Sequence, residues 1–248
     1  MKNLLASVAL LMSFSAPALA FDFDKMSDAE RSAFRAEVRA YLLDNPSIII
    51  EAYTLYEQQQ SEASAANDVT LVQNNAEKLF ADARDWVGGN PDGDITLVEF
   101  LDYRCGYCRK AHTDVSDLLA QDGNIRLIVK ELPILGDESV LASQFAIATK
   151  LVAGDAAYKQ MHDVLISYRG AFTLSAFAKQ ADALGLDGQA IADHASSREV
   201  SQLINDNRRL ASMMSISGTP TFVLEDQMLR GYVPLDGMLE LVAAVRDN

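Results

Sequence analysis

The sequence predicts an α/β fold that is interrupted by an inserted block of helices and preceded by an N-terminal helical arm. The run Ile95–Leu101 is nearly all apolar and rich in β-branched residues, as buried central strands are. Helix and strand patterns alternate up to Pro133, and helical periodicity then persists to about residue 214. A strand pattern returns at Thr221–Leu224, so the helices interrupt a single α/β domain.

The composition is that of a globular protein with an acidic surface. The 248 residues are 49% apolar and include 21 basic and 35 acidic residues, for a net charge of −14. This length can bury a sizeable core in one or two domains. The negative charge excludes a general nucleic-acid binder, which needs an excess of Lys and Arg, and it disfavours docking on anionic lipid. The two cysteines are too few for a disulfide framework or a four-thiolate metal site.

Residues 1–20 have the three-part pattern of a cleavable secretory signal peptide. Lys2 precedes an apolar run that begins at Leu4, and Ala18-Leu19-Ala20 is the small-x-small pattern that signal peptidase cuts before Phe21. The alternative is an N-terminal membrane anchor, which the polar residues directly after the run disfavour. The signal predicts export, most simply to a bacterial periplasm, where disulfide bonds persist.

The arm is predicted over residues 21–68. Ser27 and Glu30 have capping-box spacing, so a helix is expected to begin there. A second helix is predicted after Pro46, and its pattern fades into the polar stretch Gln58–Asn67, which is typical of a spacer. An apolar face outside the main domain needs a partner, which predicts a homo-oligomer, either a dimer or a trimer. The alternative is that the arm packs on its own domain.

The remaining domain, residues 69–248, is predicted to contain a β-α-β unit, the inserted helices and a β-β-α unit. Leu71–Trp86 is predicted to be a helix, and the glycine-rich stretch from Gly88 to Gly93 a turn. The later elements are predicted as a strand (Ile95–Leu101), a helix (Gly106–Ala120), a strand (Ile125–Val129), inserted helices within about 137–214 (Ser139–Ala153, Ala156–Tyr168, Leu174–Leu184, Gly188–Ser196 and Glu199–Met214), a hairpin (Thr221–Leu224 and Met228–Tyr232) and a final helix (Leu235–Val245).

The chemistry is predicted at Cys105-Gly106-Tyr107-Cys108, between a buried strand and a helix. Two cysteines at this spacing close almost no loop, so they would make a poor structural disulfide. At the start of a helix, unpaired amides and the helix dipole favour the Cys105 thiolate. Cys108, one turn later, would be shielded and would act as the resolving thiol. This placement indicates a redox-active pair that requires no added cofactor.

Two further sequence features fit such a site. Glu99 lies in an apolar strand whose alternation directs it beneath the cysteines, where a buried carboxylate has a raised pKa and can relay the proton of Cys108. The alternative for Glu99 is a position at a strand edge. Pro220 precedes a predicted strand, and a cis bond there would present the Thr219 backbone to a ligand. An ordinary turn at Thr219-Pro220-Thr221 fits the sequence equally well.

These segments resemble the DsbA-type thioredoxin-fold oxidoreductases over about Asp85 to Asn248. The resemblance is carried by Glu99–Cys108, Lys130-Glu131-Leu132-Pro133-Ile134 and Thr219-Pro220-Thr221. The arm, especially Phe34–Pro46, is similar to the N-terminal region of the ScsC and Com1-like branch, some members of which oligomerise through it and behave as isomerases or reductases.

The resemblance implies a thioredoxin fold and a role for each site residue. Cys105 would be the attacking thiol, Cys108 the resolving thiol and Glu99 the buried acid. The resemblance also implies that Pro220 is a cis proline. Substrate binding would involve Thr219, Pro220, Gly106 and Tyr107, with the Thr219 backbone pairing with an extended chain.

The sequence departs from the DsbA oxidase pattern. Those oxidases typically carry Pro-His between the cysteines and Val before the cis proline, whereas this chain has Gly106-Tyr107 and Thr219, the combination of DsbC-type isomerases. The absence of that His predicts a milder oxidant. The sequence therefore favours a periplasmic isomerase or reductase of exported proteins that exchanges electrons with a membrane partner. A DsbA-like oxidase is the alternative.

The sequence supports a metal site less strongly than it supports a redox-active cysteine pair. Cys105, Cys108 and His112 would offer three zinc ligands only with both thiols reduced, so no dedicated metal site is predicted. Copper(I) accepts two soft thiolates, which gives a second hypothesis of another class, a copper-tolerance protein. A third is an adaptor with a vestigial thioredoxin domain. The sequence assigns no role to His162 or His194.

Overall fold

The computed structural model describes residues 25–247. The predicted signal peptide and its cleavage site lie outside the described residues. The chain divides into two compact units, and the boundary falls after Gln59. None of the described helices is long and apolar enough to span a membrane.

The described part of the arm contains two helices. Helix α1 (Asp28–Asp44) begins with the predicted capping box, in which the Ser27 side chain accepts from the Glu30 N–H and the Glu30 carboxylate accepts from the Ser27 N–H at 2.8 Å. Helix α2 (Ser47–Asn74) continues through Gln58–Asn67, so the predicted spacer is wrong. The stretch is rich in Gln and Ala and contains neither Gly nor Pro, which favours a helix.

The segment after α2 also differs from the prediction. Instead of one helix over Leu71–Trp86, a short helix α3 (Ala76–Phe80) is followed by strand β1 (Trp86–Gly89). Gly89 belongs to this strand rather than to a turn. Its φ is +66°, and a Cβ there would lie 2.3 Å from the Ile125 carbonyl oxygen, so close strand pairing requires glycine at this position.

The central sheet has five strands in the order β1-β3-β2-β4-β5. The further strands are β2 (Ile95–Leu101), β3 (Ile125–Glu131), β4 (Thr221–Leu224) and β5 (Gln227–Arg230). Strands β2 and β3 are parallel and are joined by helix α4 (Gly106–Asp122), whereas the other neighbours are antiparallel. Helix α10 (Leu235–Arg246) follows the hairpin and packs near α4. The predicted α/β order is confirmed.

Five helices lie between β3 and β4, as predicted: α5 (Asp137–Ala153), α6 (Asp155–Ser167), α7 (Leu174–Ala183), α8 (Gly188–Ala195) and α9 (Arg198–Met213). Local signals set their bounds. Gly154, with a φ of +86°, separates α5 from α6, and the Ser197 side chain caps α9 by accepting from the Val200 N–H.

The side chains of β2 point alternately into two apolar cores on opposite faces of the sheet. Leu97 and Leu101 belong to the core that includes both cysteines, whereas Val98 and Phe100 belong to a second core with Leu210 of α9. Alternation therefore places Glu99 in the row between Leu97 and Leu101, on the face that carries the cysteines. The second face holds a buried ion pair in which Lys130 Nζ lies 2.5 Å from Asp85 Oδ2 and also donates to the Lys78 carbonyl oxygen at 2.6 Å.

Candidate redox active site

Cys105 occupies the N-cap position of α4. Its thiol sulfur accepts from the Cys108 N–H at 3.4 Å, so it takes one of the amides that a helix start leaves unpaired. The pKa of Cys105 is lowered to about 5, first by the hydrogen bond from the Cys108 thiol and further by the Cys108 N–H, which together outweigh the effect of burial. A thiolate is therefore the dominant form of Cys105 at neutral pH when the pair is reduced.

Cys108 differs from Cys105 in both access and acidity. Cys108 is fully buried, whereas Cys105 keeps 7% of its surface exposed. The hydrogen bond to Cys105, burial and the nearby Glu99 carboxylate all raise the pKa of Cys108. The two thiols thus differ strongly in nucleophilicity, although only two residues separate them.

The loop before β4 lies against Cys105. The Thr219–Pro220 peptide bond is cis, and Cys105 Sγ lies 3.1 Å from the Thr219 carbonyl oxygen. The Thr221 hydroxyl donates to the Gly218 carbonyl oxygen at 2.8 Å and fixes the other side of the loop. The structure therefore brings Cys105, Thr219 and Pro220 together from segments that are far apart in the sequence.

Glu99 is buried beneath the cysteines. Its pKa is raised to about 8, chiefly by burial and then by the negative charges of Glu131 and Cys105. A carboxyl with a pKa near the working pH exchanges protons in both directions. Because the charge of Glu99 also raises the pKa of Cys108, the two groups are close enough to affect each other's protonation.

A second buried carboxylate, Glu131, lies next to Glu99. Three hydroxyl groups donate to it: Tyr103 at 2.9 Å, Tyr158 at 2.7 Å and Ser143 at 2.9 Å. Burial outweighs these hydrogen bonds and raises the pKa of Glu131 to about 7. Sequence reasoning missed Glu131. Its position follows from the register that pairs it with Leu101 at the end of β2, which no local sequence pattern contains.

Asp102 holds the loop between β2 and Cys105 in place, and sequence reasoning also missed it. It is fully buried, and its Oδ1 accepts from the Arg104 N–H at 2.8 Å. Its Oδ2 accepts from the N–H groups of Ile134 and Leu135 at 2.8 and 3.0 Å. Asp102 therefore ties the loop after β2 to the loop after β3. A carboxylate directly after a buried strand was the available signal.

The surface around the cysteines carries two stacked aromatic rings. Tyr107 is 65% exposed, and its ring lies 6.2 Å from that of Tyr232, centroid to centroid. The Tyr232 hydroxyl donates to Asp114 at 2.7 Å, and Lys110 Nζ lies 4.2 Å above the Tyr232 ring. Gly106, next to Cys105, has open space where a Cβ would be.

Two family profiles match the chain. The DSBA-like thioredoxin domain matches residues 96–243, which contain both cysteines, the cis proline and the inserted helices. The chain belongs to this DsbA-like thioredoxin family. The N-terminal domain of the copper resistance protein ScsC matches residues 30–63, within α1 and α2. The resemblance seen in the sequence is confirmed both for the arm and for the domain that contains the cysteines.

Solved structures of DsbA-like relatives share the fold. A thioredoxin-like oxidoreductase from Silicibacter pomeroyi DSS-3 is 34% identical, with a TM-score of 0.65, and the match covers 70% of this chain and 99% of that one. The thiol-disulfide exchange protein alpha-DsbA2 from Wolbachia pipientis is 26% identical, with a TM-score of 0.67, and covers 73% and 98%. A periplasmic thioredoxin-like protein from Salmonella enterica serovar Typhimurium is 26% identical, with a TM-score of 0.59, and covers 68% and 94%. These relatives support a thiol-disulfide oxidoreductase.

Curated relatives match only in part. The Na(+)/H(+) antiporter NhaA 1 of Salinispora arenicola is 30% identical over 161 residues, which are 65% of this chain and 24% of that protein. The chain thus spans about a quarter of the length of the curated relatives it matches. Their transport activity is therefore not carried over to this chain.

Proposed function

We propose that the protein is a thiol-disulfide isomerase or reductase that acts on exported proteins. The observation that carries the proposal is the position of Cys105, whose sulfur takes a helix N-cap amide and faces the Thr219 backbone. This arrangement supports a nucleophilic thiolate with a peptide-binding backbone beside it. The cysteine pair is itself the reactive group, so the proposal requires no added cofactor.

The reaction begins when the Cys105 thiolate attacks one sulfur of a client disulfide. A mixed disulfide forms, and the other client sulfur leaves as a thiolate. In isomerisation, a second client thiolate attacks the client sulfur of the mixed disulfide and releases the Cys105 thiolate. In reduction, Cys108 gives its proton to Glu99 and attacks Cys105 Sγ, which forms the Cys105–Cys108 disulfide and releases the reduced client. A membrane redox partner then supplies two electrons to reduce the pair.

The residues between and opposite the cysteines favour isomerase or reductase chemistry over oxidation. Gly106-Tyr107 provides no imidazolium beside Cys105, so the thiolate is stabilised chiefly by hydrogen bonds from the Cys108 thiol and the Cys108 N–H. A less stabilised thiolate leaves a less oxidising disulfide. The oxidase direction uses the same steps in reverse and remains the competing function.

The arm supports assembly into a homo-oligomer. Helix α1 has no buried residue, and its apolar side chains form a cleft of about 400 Å³ with Ile49 of α2. In the part of the arm that the structure describes, the large apolar side chains that stay exposed are Phe34, Val38, Tyr41, Leu43, Ile49, Ile50, Tyr53, Leu55 and Tyr56. An exposed apolar face of this extent is typical of an interaction site. Several copies joined through it would hold several Cys105 thiolates around one client.

A periplasmic location is part of the proposal. It is supported by the signal-peptide pattern of residues 1–20, with cleavage between Ala20 and Phe21, and by the periplasmic Salmonella relative. A cysteine pair that cycles between dithiol and disulfide requires such a compartment or an equivalent oxidant.

The proposal is tested by the recovery of activity from a scrambled-disulfide client in a glutathione buffer. Cys105→Ala is expected to abolish recovery, whereas Cys108→Ala retains isomerisation and loses reduction, because only reduction uses the second thiol. If the wild-type protein oxidises a reduced client rapidly but leaves scrambled disulfides unchanged, the protein is an oxidase.

The arm is tested by Ile50→Asp, with Gln59→Asp as the matched control on the same helix. Ile50 is 68% exposed, so a charge there leaves the helix intact but opposes apolar association. We expect Ile50→Asp to lower both the mass measured by light scattering and the isomerase activity, while Gln59→Asp changes neither. Equal masses for all three proteins would contradict assembly through the arm.

A copper(I) function is the second candidate, because the arm matches a domain that is described from a copper resistance protein. The two thiols are adjacent and would offer soft ligands. Copper(I) titration of the reduced protein against a competing chelator separates the two functions. Tight binding without activity on scrambled disulfides would favour copper handling.

A further inference from the structure

A group of metal-ligating side chains lies away from the cysteines, between α4 and α6. Within residues 25–247, His112 of α4 and His162 and Asp163 of α6 bring two ring nitrogens and a carboxylate oxygen within 4.8 Å of one another. His112 Nε2 lies 3.1 Å from Asp163 Oδ1. This oxygen is buried and accepts no hydrogen bond with good geometry from the described residues, so it is available to a cation.

The hydrogen bonds of Tyr103 determine which nitrogen of His162 is available. Tyr103 has one hydroxyl proton, which it donates to Glu131 Oε1 at 2.9 Å. Its oxygen lies 2.9 Å from His162 Nδ1 and therefore accepts the Nδ1 proton. His162 is left with an unprotonated Nε2, which is the form of imidazole that binds metals. A fixed partner on the opposite ring nitrogen is typical of histidine ligands.

The group is closed on one side and open on the other. His162 is only 4% exposed, so its ring lies in the interior of the domain. His112 and Asp163 are partly exposed, with 25% and 42% of their side chains accessible, which leaves a path from solvent to the group.

We propose that His112, His162 and Asp163 bind a zinc ion through two imidazole nitrogens and one carboxylate oxygen, with water as the fourth ligand. This ligand set and an open fourth position suit tetrahedral zinc. Bonds of about 2.0–2.1 Å place the ligand atoms about 3.4 Å apart. The separations of up to 4.8 Å must therefore close, while the 3.1 Å between His112 Nε2 and Asp163 Oδ1 must open slightly. The part-exposed His112 and Asp163 side chains can make this adjustment. The second oxygen of Asp163 keeps its contact with Lys159 Nζ, which is 2.5 Å long.

A zinc ion at this position would join two parts of the domain. His112 lies on the helix that begins at Cys105, whereas His162 and Asp163 lie in the inserted helices. The ion would therefore cross-link the active-site helix to the insertion without using either thiol. This site differs from the sequence-based alternative of Cys105, Cys108 and His112, because His112 faces α6 in the structure.

The test is a titration of the full chain with zinc chloride after the Cys105–Cys108 disulfide has been formed, so that no thiolate is available. We expect one zinc ion per chain and a nitrogen- and oxygen-only ligand shell by X-ray absorption. His112→Ala and Asp163→Asn are each expected to weaken binding by at least about tenfold. His194→Ala, which removes the third histidine of the chain, is the matched control and should leave zinc affinity unchanged.

Three results would overturn the proposal. The first is no zinc binding by the oxidised wild-type protein, and the second is equal affinity in the wild type and His112→Ala. The third is a sulfur ligand in the absorption spectrum, which would place the metal outside the group of His112, His162 and Asp163. Circular dichroism of His112→Ala and Asp163→Asn shows whether each variant is still folded, and so whether weaker zinc binding reflects the loss of a ligand.

Discussion

Replacing Glu99 with glutamine is expected to change the stability of the protein by an amount that becomes more favourable as the pH rises. Burial raises the pKa of Glu99 from 4.5 to about 8. A carboxyl whose pKa is higher in the folded chain destabilises folding wherever the unfolded chain has already ionised. Glutamine has the same shape and no charge, so the substitution removes this cost.

The magnitude follows from the two pKa values. The cost is absent below pH 4.5, rises by about 1.4 kcal/mol per pH unit and becomes constant above about pH 8. It therefore amounts to about 3 kcal/mol at pH 7 and about 5 kcal/mol above pH 8. The buried amide of glutamine needs its own partners and offsets about 1–3 kcal/mol of this gain at every pH. The slope with pH is thus the decisive quantity.

The assay is urea unfolding of the reduced wild type and Glu99→Gln at several pH values between 5 and 8. Glu240→Gln, at an exposed position on α10, is the control and should show no slope. The stability difference between the wild type and Glu99→Gln is expected to grow with pH. A difference that stays constant from pH 5 to pH 8 would refute a raised pKa for Glu99. If removing this carboxyl stabilises the fold, the role of Glu99 is in the reaction rather than in stability.

Three other substitutions probe the site and its support. Cys108→Ala is expected to raise the pKa of Cys105 from about 5, because the Cys108 thiol is the main group that stabilises the Cys105 thiolate. Thiolate absorbance against pH measures the pKa of Cys105, and an unchanged titration would contradict this expectation. Lys130→Met leaves Asp85 buried without its cation and should cost about 3–5 kcal/mol in chemical denaturation, most of which Asp85→Leu in the same chain should restore. Tyr107→Ala is expected to lower kcat/KM for a peptide disulfide several-fold without changing the thiolate titration of Cys105, since the ring is exposed. An unchanged kcat/KM would show that Tyr107 does not contact the client.

Most of the fold could be predicted because its elements carry strong local signals. The five inserted helices begin and end within two residues of the predicted bounds, since Gly154 and Ser197 mark breaks that periodicity also shows. Strand β1 could not be predicted. It is short and contains two glycines, so its pattern is that of a turn, and only pairing with β3 makes it a strand.

The site was predictable only where residue type and position in the chain already indicate chemistry. Cys105 and Glu99 stand out because a CxxC pair and an acidic residue in an apolar strand are unusual locally. Glu131, Tyr103 and His162 acquire their arrangement through β2–β3 register and the packing of α6, which no local pattern contains. Their chemistry depends on contacts between residues that are distant in sequence.

The distance along the chain between Cys105 and Thr219 affects when the site can first exist. The two residues are 114 positions apart, and all five inserted helices lie between them. Chains are made from the N-terminus at about 5–20 residues per second, so roughly 6 to 23 seconds separate their synthesis. During that interval the cysteine pair has no Thr219 loop opposite it. The reactive centre is therefore among the last parts of the domain to be completed, and a prematurely terminated chain would carry two cysteines without a client-binding loop.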